Sequence, residues 1–317
     1  MLSPCSAFAQ PLPVAGAGIL IIWVMMFHAI NNAHVYGQTD ARVAIPFLTF
    51  SMPWFFYKSG QFFNPTRGWE GVRRDVRKFL IPFAQWTLIG YAVQLIVLLI
   101  DHDLSFQTAV VDSLYKFYIY GYIPIDVPLW FVLSLFVTKV IAQGLLTKGI
   151  HPLACMIGGL TVSYLHFLVN GNDEPVLPVY IANVAQGIAF FMMGYMWSKY
   201  ETNRWLMVVC MTGYVALQVT GYPIVGLHRN VLLQGPYFMW PVSAYCGIVA
   251  FNNVCRWIGR IAPLNYAGRH AMTLLLSHGI IYMTWVHYST LHPVVTVVCI
   301  AICYALFLIP LTRWMKN

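Results

Sequence analysis

The amino-acid sequence predicts an all-α polytopic membrane protein of about ten transmembrane helices, and three observations carry that prediction. Only 9% of the 317 residues are charged while 59% are hydrophobic, with a mean hydropathy of +0.67. An ordinary soluble domain carries about 25% charge. Apolar stretches of about 20 residues, the length that crosses a bilayer, follow one another along the whole chain. The net charge of +8 is sorted by loop and not gathered in one patch.

Taken in order, the first span covers residues 14–33 and contains the unbroken apolar run from Ile19 to Phe27. The second, 44–63, carries "MPWFFYKSGQFF", and the third, 79–100, follows a basic connection. Spans at 128–147, 152–170, 178–198 and 293–313 each open on proline, which suits a first helical turn. Spans at 205–222, 233–256 and 268–286 complete the set. The longest connections are 64–78, basic, and 101–127, acidic. The second includes "SLYKFYIYGYIPID", whose tyrosines suit an interfacial helix or a re-entrant segment. No repeat, low-complexity tract or long hydrophilic stretch interrupts the pattern, so residues 1–317 are read as a single integral membrane domain.

The charges set the orientation. Arg67, Arg73, Arg74, Arg77 and Lys78 crowd one connection, and the same side is opposed only by Glu70, Asp75 and Glu201. The other side holds Asp40, Asp101, Asp103, Asp112, Asp126, Asp173 and Glu174 against Arg42, Lys116 and Arg229. Short basic loops stay cytoplasmic, so an even number of spans puts both termini there. The basic balance is therefore topological, and no nucleic-acid partner is expected. Seven cysteines show neither a disulfide framework nor metal spacing. The opening "MLSPCSAFAQ" lacks a basic and an apolar region and is not read as a signal peptide.

Ionisable groups within spans are costly and call for a functional hypothesis. His28, Lys58, His166 and His278 are such groups. A neutral histidine can simply hydrogen-bond a neighbouring helix, the reading preferred for His166, and Lys58 can snorkel to the inner surface. For Lys58 and His278 both readings stay open. His28 differs because Asn31 and Asn32 follow it at helical spacing, so a polar stripe runs from the imidazole outward. In "GVRRDVRKFLIPF", Arg74 and Arg77 are three apart and would project from one side of a helix. Arginine forks bind phosphates, although the positive-inside rule alone also accounts for them.

Together these stretches resemble the acyltransferase 3 family of integral membrane acyltransferases, which typically have ten spans. "ILIIWVMMFH" is similar to that family's opening histidine motif, and "MPWFFYKSGQFF" to its Phe-Phe-x-x-Ser-Gly segment, on Ser59 and Gly60. "RDVRKFLIPF" matches its Arg-x-x-Arg pattern on Arg74 and Arg77, and "PLWFVLSLF" its Leu-Trp-Phe segment on Trp130 and Phe131. "FFMMGYMWSKY" and "AGRHAMTLLLSHGII" resemble two later spans, the second ending on His278. One position departs from the family: Ala17 stands where an arginine is usual.

The resemblance implies transfer of an acyl group, most often acetyl from acetyl-CoA or another acyl-CoA, to a hydroxyl of a carbohydrate acceptor. No permanently bound cofactor is expected. Arg74 and Arg77 would hold the CoA phosphates, and His28 would act as the base or carry the acyl group itself. Asn31, Asn32, Lys58, Ser59, Trp130 and His278 would line the substrate path. A bacterial inner membrane is likewise implied. Two other classes remain beside it: a proton-coupled transporter or flippase using the buried His28, Lys58 and His278, and a structural subunit that needs no buried titratable groups.

Overall fold

Backbone polar groups in hydrocarbon must be satisfied within the segment that carries them, and an α-helix does this. The chain obeys that constraint. A computed structural model describes residues 14–35, 50–220, 224–259 and 261–288, the side chains of 29–35, 224, 225, 233, 234, 286 and 287 excepted. Its elements are α1 (Ala15–Val35), α2 (Ser51–Gln61), α3 (Gly68–Asp75), α4 (Ile81–Ile100), α5 (Asp112–Tyr120), α6 (Leu129–Thr147), α7 (Pro152–Asn170), α8 (Val179–Trp197), α9 (Arg204–Val219), the short strands β1 (Ile224–Gly226) and β2 (Val231–Gln234), α10 (Met239–Ile258), α11 (Ala262–Arg269) and α12 (Ala271–Tyr288).

Four helical segments are long and apolar enough to cross a membrane: Pro65–Ile100, Leu129–Thr147, Pro152–Asn170 and Val179–Tyr200. Ala15–His28, Arg204–Val219 and Ala271–Trp285 are shorter apolar helices. The tenth expected span, and the first part of the second, lie outside the described residues. Two details differ from the sequence reading. The chain is not purely helical, because β1 and β2 pair as an antiparallel hairpin. The basic connection is itself helical, since α3 runs through a π-helical turn, Val76–Leu80, into α4. Pro82 explains that turn. It has no N–H to give the carbonyl four residues back, and a widened turn relieves the clash of its ring.

α8 is the central post, buried from Ala182 through Gly194. Its neighbour α2 approaches through two glycines. A Cβ at Gly60 would collide with the Phe191 carbonyl, and one at Gly194 with the Tyr57 carbonyl. Small residues allow this close helix approach, so the glycines of the two quoted "FF" segments are each other's packing surface. Large apolar side chains point outward instead: Leu88, Ile96 and Leu99 from α4, Leu165 and Leu168 from α7, Val209 and Val215 from α9. Polar ones turn inward, among them Gln94, Ser163, Gln186, Asn252 and Asn253. That inversion suits lipid surroundings. α5, within the tyrosine-rich connection, exposes Leu114, Tyr115 and Tyr118.

Candidate active site

Helix α1 is fixed by a second glycine crossing. Gly18 lies against the Leu264 carbonyl of α11, and Gly268 against that of Val14. Near the same end Gly16 faces Cys255 and Trp54. His28 is twelve residues further along the helix, about 18 Å at 1.5 Å per residue. Its ring is half-buried and stands 5.4 Å, centroid to centroid, from that of His278 on α12. The first and ninth expected spans thus bring their histidines together.

His278 is fully buried. Its Nδ1 is 2.9 Å from the Leu274 carbonyl oxygen. A carbonyl only accepts, so Nδ1 carries the hydrogen and Nε2 presents a lone pair. Nε2 has no protein partner among the described residues. The Tyr282 ring closes the other side, 5.7 Å away and nearly perpendicular.

A third imidazole, His228, was not singled out from the sequence. It sits on a 3₁₀ turn, Leu227–Arg229, at the tip of the β1–β2 hairpin. Asn230 follows in the left-handed conformation, φ 52°, which asparagine tolerates better than most residues. Its buried side chain pins the hairpin to the bundle. The Asn230 carbonyl oxygen accepts from Gln186 Nε2 and from the Tyr237 hydroxyl, both at 2.7 Å, while its Nδ2 donates to the Ser163 carbonyl at 3.1 Å. His166 belongs to this anchoring network, 3.4 Å from Asn230. Close packing, then the neighbouring His28 and Arg229, lowers His228 to about 4. It therefore stays neutral at pH 7 and lies within electrostatic reach of His28.

Asp126 is also close to this group and is completely buried. It packs against Gly279, the residue after His278. Neither carboxylate oxygen has a hydrogen-bond partner among the described residues, and burial pushes the carboxyl well above the usual range. The unfolded chain releases this proton above about pH 4, whereas the folded chain keeps it, so stability falls as pH rises out of the ordinary carboxylate range. Asp126→Asn is therefore expected to raise the unfolding temperature at pH 7 and to leave it unchanged near pH 4. Thermal unfolding in detergent at the two pH values checks this; equal shifts at both would refute the protonation argument.

At the other end of α2 lies a basic cavity of about 280 Å³. Lys58 and Ser59 line it from α2, Arg67, Arg74 and Lys78 from the helical connection, and Lys139 and Gln143 from α6. Lys139 is committed elsewhere, since its Nζ is 2.8 Å from Asp75 Oδ2 and both are mostly buried. Gln143 donates to the Pro65 carbonyl at 2.8 Å and so fixes the start of the connection. Lys58 donates to Gln61 Oε1 and lies against the Trp54 and Phe62 rings. Arg67, Arg74 and Lys78 have no ion-pair partner among the described residues. Their charge faces the cavity uncompensated.

The other expected site residues are distributed less simply. Arg77 is exposed and does not line the cavity, because the π-helical turn begins between it and Arg74 and breaks their shared register. Trp130 is buried at the first turn of α6, edge-on to Phe131 at 5.7 Å, and takes no part in the cavity wall. The side chains of Asn31 and Asn32 lie outside those described. No cluster of histidine, cysteine and carboxylate side chains fit to hold a metal occurs among the described residues.

These features define an integral membrane protein of packed apolar helices with grouped imidazoles inside it and a cationic cavity toward one end. A family model described as an acyltransferase domain matches residues 18–314. The chain belongs to the acyltransferase 3 family and is a membrane acyltransferase. Neither a curated protein nor a solved structure matches it.

Proposed function

We propose that the protein moves an acyl group, most directly acetyl, from acyl-CoA to a hydroxyl of a cell-envelope or exported glycan, with His28 as general base. The observation that carries this reading is the separation of two unlike environments along one bundle. Uncompensated Arg67, Arg74 and Lys78 line a cavity at one end, and half-buried His28 stands beside the lone pair of His278 further along α1. CoA carries several phosphate charges, and arginine and lysine bind phosphate well. A neutral imidazole exchanges protons near neutral pH.

The positive-inside pattern supports a cytoplasmic basic end, with both termini on that side and the bacterial inner membrane as the site. The donor then enters from the cytoplasm, with Ser59 and Lys58 lining the path along which its pantetheine arm carries the thioester toward His28, and the acceptor from the opposite side past Asn31 and Asn32. In the transfer, the acceptor oxygen attacks the thioester carbonyl while its proton passes to His28. The carbon–oxygen bond forms, the carbon–sulfur bond breaks, and the CoA thiolate takes the proton back from the imidazolium. His278 accepts a hydrogen bond through Nε2 and holds the acceptor in line.

The test is transfer of labelled acetyl from acetyl-CoA to envelope glycans in membranes with and without the protein. Label in the glycan fraction that depends on the protein is expected. Folded protein that transfers neither acetyl nor succinyl from its CoA ester would overturn the reading, and net solute movement without covalent change would replace it with transport.

A further inference from the structure

The acidic side of the chain holds few cations, and two of them meet in space although they are far apart in sequence. Of Arg42, Lys116 and Arg229, the last two line one cavity of about 450 Å³ at the end opposite the basic cavity. That volume is within the range of small-ligand sites. The positive-inside rule gives no reason for this convergence, because it accounts only for cations on the other side.

The remaining walls are aromatic and hydrogen-bonding. Tyr120 and Tyr122 stack with ring centroids 5.4 Å apart and 25° between planes. The Tyr120 hydroxyl donates to Glu174 Oε2 at 2.8 Å, and Arg229 pairs with Glu174 Oε1 at 3.3 Å. Both phenols are pushed up to about 12, chiefly by burial, so they remain hydroxyl donors. Lys116 has no ion-pair partner among the described residues and rests over the Tyr120 ring, 5.7 Å from its centroid. The cavity therefore carries one cation more than its single carboxylate cancels. Its frame is held in advance, since the Asn172 amide pairs with both the N–H and the carbonyl of Leu232 on the hairpin, each at 3.0 Å. His228 lines the same cavity and lies within electrostatic reach of His28, so an occupant here lies on the imidazole side of the bundle.

We infer that this cavity binds one sugar unit of the acceptor, and that the unit carries a negative charge held by Lys116 and Arg229. A pyranose offers C–H faces to aromatic walls and vicinal hydroxyls to planar polar groups. The tyrosines, Glu174 and the free donors of Arg229 supply both, and Lys116 answers the added charge. The inference rests on the acyltransfer reading for the word acceptor, but the site is testable without it.

The probes are methyl β-glucuronide, its neutral counterpart methyl β-glucoside, and inorganic phosphate. Each is titrated by saturation-transfer NMR against the protein in phosphatidylcholine nanodiscs, with no acyl donor present. The glucuronide is expected to bind about ten times more tightly than the glucoside, the size of one charge-assisted hydrogen bond in a partly exposed site. Lys116→Met removes a charge that pairs with nothing and is expected to erase that preference without changing the unfolding temperature. Equal binding of the two glycosides, an unchanged preference in Lys116→Met, or phosphate binding as tight as the glucuronide would each overturn the inference, the last by showing an anion or headgroup site indifferent to sugar. A wild type that binds the glucuronide but transfers no acyl group removes the reaction and leaves the site. One that acylates glycan without the preference removes the site and leaves the reaction.

Discussion

His28→Ala is expected to lower acyl transfer about a thousandfold, within the span of a lost general base, while the amount of folded protein stays the same. The ring is half-buried and its ring contacts are His278, tilted, and Phe27, edge-on, so its removal leaves no large void in a closed core. What is lost is a proton acceptor beside His278, whose Nε2 has no protein partner among the described residues. The measurement is initial rate of label transfer per folded molecule, with acyl-CoA saturating. Full activity in the variant would make His28 a packing residue and shift attention to His278 and His228. Labelled protein that accumulates in the wild type without acceptor, and disappears in the variant, would make His28 the carrier of the acyl group instead of the base.

His28, His278 and Lys58 were legible in the sequence because each interrupts an apolar run, where every residue must answer to the bilayer on its own. Gly60 and Gly194 stand in short segments that resemble known ones, but that they form one crossing is seen only in the structure, which shows why a side chain cannot replace them. His228 was not legible. "VGLHRNVLLQG" has the composition of an ordinary loop, and only the burial of Asn230 against α7 and α8 folds that loop back onto the bundle. Asp126 and Asp75 were counted as topological charges, yet the first is fully buried and the second forms an internal ion pair with Lys139 of α6. Loop charges obey local rules only while the loop stays in water. These fold back, and tertiary contact decides their role.

The same limit separates the two arginines of the basic segment, and it makes the second prediction. Arg74→Ala is expected to raise the KM for acyl-CoA by about 10- to 100-fold, the equivalent of one charge-assisted hydrogen bond lost from a cavity, with kcat recovered at high donor concentration. Arg77→Ala is expected to change it less than about threefold, because Arg77 does not line the cavity and a charge on the open surface contributes little. A regular α-helix would have placed the two side by side at i and i+3, and equal effects would then follow. The π-helical turn ahead of Pro82 turns Arg77 out and brings Lys78 to the wall with Arg67. Lysine at position 74 should restore only part of the loss, because a point charge replaces the bidentate fork. Added salt should weaken donor binding in the wild type more than in Arg74→Ala. Equal losses for the Arg74 and Arg77 variants would move the donor from the cavity to the exposed face of the connection. A fall in kcat with KM unchanged for Arg74→Ala would mean that the arginine acts on the reacting centre and not on the phosphates.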